Sequence, residues 1–282
     1  SVNDGFVIYE GTGVVNDGNV DEAKTTRNQF VWIPVDDISQ IANKTSGVDE
    51  NGRTNYQGKL YNFSTSGATE MSNYGQGTTS YREPDIATDD DSSSGQFKTQ
   101  LQEEFNGMIE SVDTYGGFYI GRYETGNLSS NLSTEPVVVK ENSSIDSAIW
   151  YDQYKNSKSI GANSNVVSTM AWGCMFDRTL IWITETGNKN YNDLMDSSSW
   201  GNYSSSTGAA AADSGSERPT GYNEAWQANN IYDLAGNVCE WTIEVDYAFH
   251  VSHGGIYYQY GFDEPASYRN GISSSIRQRC WL

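Results

Sequence analysis

Chemistry that needs a base or a soft nucleophile has few residues to draw on in this chain: two histidines, His250 and His253, and three cysteines, Cys174, Cys239 and Cys280. A serine or cysteine nucleophile requires a base within hydrogen-bond reach, so one of the histidines would have to serve, with Asp246 or Asp263 orienting it. Two histidines and an aspartate also make a three-ligand zinc set, but ligands confined to one loop lack the rigid scaffold such a site needs. The cysteines have no metal-type spacing, and their odd number allows at most one disulfide beside a free thiol, so buried unpaired thiols are expected. Carboxylate pairs are too common in so acidic a chain to single one out. No glycine-rich phosphate loop occurs between a strand and a helix.

What the histidine region does concentrate is rings. Tyr247, Phe249, His250, His253, Tyr257, Tyr258, Tyr260, Phe262 and Tyr268 fall within 22 residues, interleaved with Gly, Ser and Asp. Adjacent Tyr257 and Tyr258 break strict alternation, so a half-buried strand cannot hide every ring and some must face solvent. Such a composition is that of a paratope: tyrosine offers large contact area at small entropic cost, and small residues adapt. The segment 247–275 is therefore the candidate ligand-binding surface, its rings joined by Asp263 and Ser267, with His250, His253 and Asp263 at the edge.

Several elements must hold that segment. FVWIPV, residues 30–35, reads as an early strand ended by Pro34. Residues 1–29 read as an irregular N-terminal arm with one strand over 6–9, and 30–282 as the main domain. Phe97, Leu101, Phe105 and Met108 recur at helical spacing with Gln102, Glu103 and Glu110 opposite, and Ser94 could cap that helix. YGGFYIGRYETG, residues 115–126, alternates as a strand does. Trp172, Met175, Phe176, Thr179, Leu180 and Ile183 form a second helical stripe after a polar linker. Stretches 62–95 and 188–221 are low in complexity and read as polar loop insertions. This order predicts an α+β fold with long irregular loops.

Composition narrows the partners. The formal charge is −20, from 17 Lys plus Arg against 37 Asp plus Glu, so no nucleic-acid partner is expected, since phosphate binding needs a cationic footprint. No stretch approaches the roughly 20 apolar residues of a membrane span, so no membrane insertion is expected. The first residues lack the build of a signal peptide, and a chain beginning at Ser1 reads as a processed or trimmed piece. Aromatics at 13% with charged residues at 19% predict a folded chain, and an aromatic, Gly-rich, Lys-poor, acidic composition suits an extracellular, cell-surface or virion-surface domain.

Three segments carry a resemblance: FVWIPV, GGFYIGRYETG at 116–126, and NNIYDLAGNVCEWT at 229–242. They resemble signature stretches of the formylglycine-generating (sulfatase-modifying factor) family, whose fold is C-type-lectin-like. In the third, Tyr232, Asp233, Gly236, Asn237, Val238, Glu240 and Trp241 match the family pattern and Cys239 stands where Trp is usual. Read physically, the segment is a corner: Gly236 permits the turn, Asn237 bonds neighbouring backbone and Trp241 anchors. The resemblance implies that calcium could lie near Asn237 and Glu240, although two oxygens fall short of calcium's six to eight. The family's oxidases use paired cysteines in the stretch matching 253–269, which here has none. The terminal IRQRCWL is similar to the closing strand of C-type-lectin-like variable proteins of diversity-generating retroelements, with Arg279 on the arginine position. Arg277 and Gln278 depart from that pattern, as does His253 before the Gly-Gly pair. In that group, mutagenised codons leave Tyr, Ser, His, Asp, Gly, Phe and Asn on the final segment, the residues enriched here. The resemblance implies a non-catalytic protein that binds a protein or glycan ligand on a cell surface, with no required cofactor. The alternatives are a formylglycine-generating or other metal-dependent enzyme, and a structural pilus or phage-tail subunit.

Overall fold

The computed structural model describes residues 1–71, 81–87, 95–126, 137–143, 149–160, 166–273 and 279–280. Ser94, Arg277 and Gln278 lie outside that set. The first sheet forms around β2 (Gln29–Pro34), which pairs antiparallel with β1 (Val7–Tyr9) on one side and β8 (Gly117–Gly121) on the other. Val31 and Ile33 alternate into the core while Phe30 and Trp32 stay partly exposed, and Pro34, which has no amide proton, ends the strand. The N-terminal arm is less irregular than expected. It contains α1 (Val20–Thr26) as well as β1, and Asn229 and Asn230 donate to the carbonyls of Asn3, Asp4 and Gly5.

The stretch read as a polar loop at 62–95 carries much of a hairpin. β3 (Ala42–Val48) pairs with β4 (Thr54–Gly58), and β5 (Tyr61–Ser64) with β6 (Gly67–Glu70), followed by β7 (Tyr81–Arg82). β5 and β6 are no more than half-buried, so a polar composition is compatible with pairing there. Both expected helices form. In α2 (Gly95–Tyr115), Phe97, Leu101, Phe105, Ile109 and Val112 are buried. In α4 (Gly173–Glu185), burial extends around the helix to include Asp177 and Arg178.

Two shorter helices are not apparent from apolar periodicity. α3 (Trp150–Ser157) buries Trp150, Gln153, Tyr154 and Ser157, a helical stripe half of whose members are polar. α5 (Tyr191–Met195) opens the 188–221 stretch, capped by Asn190, whose Oδ1 accepts from the Asn192 and Asp193 amides. β9 (Gln227–Ala228) and β10 (Ile231–Tyr232) form a short hairpin before the second sheet.

That sheet is built on β11 (Glu240–Asp246). β12 (Phe249–His253) pairs antiparallel with it, and β13 (Arg269–Ile272) pairs with β12. The other edge of β11 is shared by β14 (Arg279–Cys280), parallel at Glu240 and Trp241, and β7, antiparallel at Val245 and Asp246. α3 and α4 both pack on β11, and residues Glu240–Val245 are buried without alternation. Helices and mostly antiparallel sheets make this an α+β protein. Among the described residues no helix is long and apolar enough to cross a membrane.

Candidate functional site: a ring-bearing loop on a buried ionic base

The ring-rich segment comprises a hairpin tip and a loop. The tip joins β11 to β12 through Tyr247, whose φ of 47° is left-handed, and exposes Tyr247 and Phe249. The loop runs from Gly254 to Tyr268, between β12 and β13. Because β12 has five residues, rising about 3.3 Å each, the two ring sets lie at opposite ends of a strand on the order of 13 Å long. The single surface expected from sequence is thus two.

The loop is gripped by the segment that starts at α5. The Ser197 amide donates to Gly261 O at 2.9 Å, and the Gly261 amide donates to Ser205 Oγ at 2.9 Å. Ser204 donates to Gln259 O from both its amide and its hydroxyl. The Ala266 amide donates to Ser197 Oγ, and Ser267 Oγ to Leu194 O. At the near end, Tyr257 N donates to Asn237 O. Gly261 is packed so closely that a Cβ would lie 2.7 Å from Ser198 N. A backbone held this way presents side chains at low entropic cost.

On that backbone Tyr258, Tyr260 and Phe262 are 57%, 50% and 55% exposed. Tyr260 and Phe262 stack with centroids 5.3 Å apart and planes 15° apart, while Tyr257, half-buried, meets Tyr258 edge-on. Asp263 is exposed beside them; Ser267 and Tyr268 are half-buried, with the Ser267 hydroxyl bonded to the Leu194 carbonyl. The two histidines are not at the edge of any surface. His250 lies under α3, stacked on Trp150 at 3.6 Å between centroids, and His253 on the opposite face of β12 packs on Phe176 of α4. Both are buried because helices cover both faces of this sheet, so neither can touch a ligand from outside.

The stems of the loop meet in an ionic cluster that no spacing in the sequence reveals. His253 ends β12, Arg269 begins β13, and the two are register partners. Arg269 Nη2 lies 2.6 Å from Asp177 Oδ2 and its Nε 2.8 Å from Glu244 Oε1, while Nη1 donates to Tyr61 O. His253 Nε2 is 3.0 Å from Glu244 Oε2. Burial alone would lower the guanidinium's pKa, but Asp177 and then Glu244 overcome this and keep Arg269 charged. Burial pushes Glu244 up to about 7 against the pull of Arg269, and drives His253 down to about 3, so its imidazole is neutral. Nearby, Glu83 accepts from the Gly173 and Cys174 amides at 2.6 and 2.7 Å, capping α4 from a distant element. Burial and then Glu244 push Glu83 up to about 8. The available signal was an acid or base inside an apolar run, such as Asp177 in AWGCMFDRTLIWI or Glu244 in EWTIEV.

The corner at Gly236 forms as expected. Gly236 has φ 75°, and a Cβ there would collide with the Asn202 carbonyl. Asn237 Oδ1 accepts from Asn202 Nδ2 and the Arg218 amide, and its Nδ2 donates to Glu124 Oε2 and Arg218 O. The oxygen offered to calcium is therefore engaged in holding the corner; Glu240 is buried in β11. Among the described residues, no group of three or more His, Cys, Asp or Glu is arranged to hold a metal ion. Cys174 and Cys239 are buried free thiols, and the Cys280 side chain lies outside the described residues. Comparison with family models, curated proteins and solved structures returns no match to this chain.

Proposed function

We propose that this chain is a non-catalytic binding protein that engages a protein or glycan ligand on a cell surface through the loop between Gly254 and Tyr268. The observation that carries the reading is the pairing of opposites in that loop: three large rings half or more exposed, on a backbone bonded into the body of the protein. Exposed rings on a slack chain would lose their contact energy to ordering; here most of that ordering is complete before a ligand arrives. Supporting it from sequence are the resemblance to lectin-like variable proteins of diversity-generating retroelements and the absence of cysteine from 253–269. The same resemblance and the composition favour display outside the cell, on a cell or virion surface. Tyr258, Tyr260 and Phe262 form the contact, with Asp263 at its rim and Tyr257 as their support.

The test is a printed glycan array and an array of extracellular protein domains, each probed with the wild type and with the Y258A/Y260A/F262A variant. These rings are exposed, so their loss should change stability by only about 0.5 kcal/mol each, checked by thermal melting. Wild-type signals that vanish in the variant are expected. Signals that survive it intact would contradict the proposal.

A further inference from the structure

We infer that the partner is cationic: a protein surface presenting arginine or lysine side chains to the ring faces of the loop. This rests on the binding reading above and narrows its ligand class.

The first observation is how the molecule treats its other rings. Its own cations sit over them repeatedly. Arg122 lies 5.4 Å from the Tyr123 and Tyr232 centroids, Lys158 4.0 Å from Tyr154, Lys189 5.0 Å from Trp200, Arg218 4.9 Å from Tyr222 and Arg269 5.3 Å from Tyr81. Among the described residues no such cation covers Tyr257, Tyr258, Tyr260 or Phe262. Tyr260 and Phe262 cover one face of each other and Tyr257 is half-buried, but Tyr258, Tyr260 and Phe262 remain half or more exposed, so aromatic surface carrying the negative side of the quadrupole is open to solvent, where a guanidinium or ammonium is the complementary group.

The second observation is charge. From residue 189 to 268, the span that forms the loop and its support, there are 11 Asp or Glu and two basic residues, Lys189 and Arg218. Arg218 lies 3.7 Å from Asp213, and Lys189 is over the Trp200 ring, so each already has a local contact. Carboxylates border the rings. Asp263 directly follows Phe262 and is exposed, Glu264 is half-buried, and exposed Asp196 accepts from the amide of Ser198, the residue against which Gly261 packs. On this inference a cation docking over Tyr260 or Phe262 would be drawn both by the ring and by the exposed Asp263 carboxylate on the adjoining residue. The whole-chain charge of −20 would steer it there, whereas sialylated or sulfated glycans would be repelled.

The experiment uses the full chain and three fluorescent peptides of alternating glycine with arginine, lysine or glutamate, titrated by anisotropy at low and high salt. Arginine should bind most tightly, lysine more weakly and glutamate not at all, with affinity falling as salt rises. Y258A/Y260A/F262A, which leaves net charge unchanged, should weaken the arginine peptide about tenfold or more. D263N/E264Q should weaken it too, while D17N/E22Q, which removes two charges from the N-terminal arm, should weaken it much less. The inference is overturned if the ring variant binds the arginine peptide as the wild type does, or if the arm control loses as much as D263N/E264Q. A neutral or anionic ligand recovered from the arrays and lost in the ring variant would also overturn it, while leaving the binding reading intact.

Discussion

Glu83 and Glu244 are both enclosed, and glycines make the room: a Cβ on Gly58 would collide with the Glu83 side chain and one on Gly173 with that of Glu244. Each carboxyl holds its proton to higher pH than an unburied glutamate at 4.5, Glu83 to about 8 and Glu244 to about 7. Between 4.5 and 8 these two carboxyls therefore bind more protons in the folded state than in the unfolded chain, so the stability they contribute is full below this window and is lost as pH rises through it, with His253, held neutral in the fold, offsetting part of it below 6.5. Chemical denaturation at pH 5 and pH 8 should show the wild type losing on the order of a few kcal/mol across the interval. E83Q keeps an oxygen for the α4 amides and carries no titrating proton, so its loss should be smaller, the remainder coming from Glu244 and other buried acids. An unchanged pH slope in E83Q would show that Glu83 is not protonated in the fold.

The element that matters most is the loop, and its shape depends on contacts between segments far apart in the chain. Gly261 is the sensitive point, because a methyl group there has only the Ser198 backbone and hydroxyl to meet. G261A should destabilise by about 1–3 kcal/mol through overpacking. It should also raise amide hydrogen exchange in 256–268 and 194–206 while leaving α2 and α4 protected. Exchange that rises evenly over the chain would mean the loop is not a separately held unit. α2 and α4 could be read because their apolar stripes are local, and the Gly236 corner because its residues are adjacent. α3 could not, since Gln153 and Ser157 occupy half of its buried stripe. The histidines read as edge residues in the sequence because nothing local reports that Trp150 of α3 packs on His250. Exposed rings are legible as a group. Their division into a tip and a loop depends on where β12 begins and ends, which the sequence does not mark.

At the scale of the whole molecule, the two larger sheets, the helices packed on them and the ionic cluster between α4 and β13 form a frame for one fixed loop. Tyr247 and Phe249 at the far end of β12 are also aromatic and exposed, but the tip they occupy is a tight turn held through β7, whose Arg82 donates to the Tyr247 carbonyl, and is separate from the loop gripped by the segment that starts at α5. The two ring sets therefore provide an internal control. Hydroxyl-radical footprinting of the protein, free and saturated with a ligand recovered from the arrays, reads every ring in one experiment. The free protein should be oxidised readily at Tyr258, Tyr260 and Phe262 and at Tyr247 and Phe249, with buried Tyr123, Tyr203 and Tyr232 spared. With ligand bound, protection should fall on Tyr258, Tyr260 and Phe262 alone. Protection confined to Tyr247 and Phe249, or no protection at any loop ring, would contradict the account.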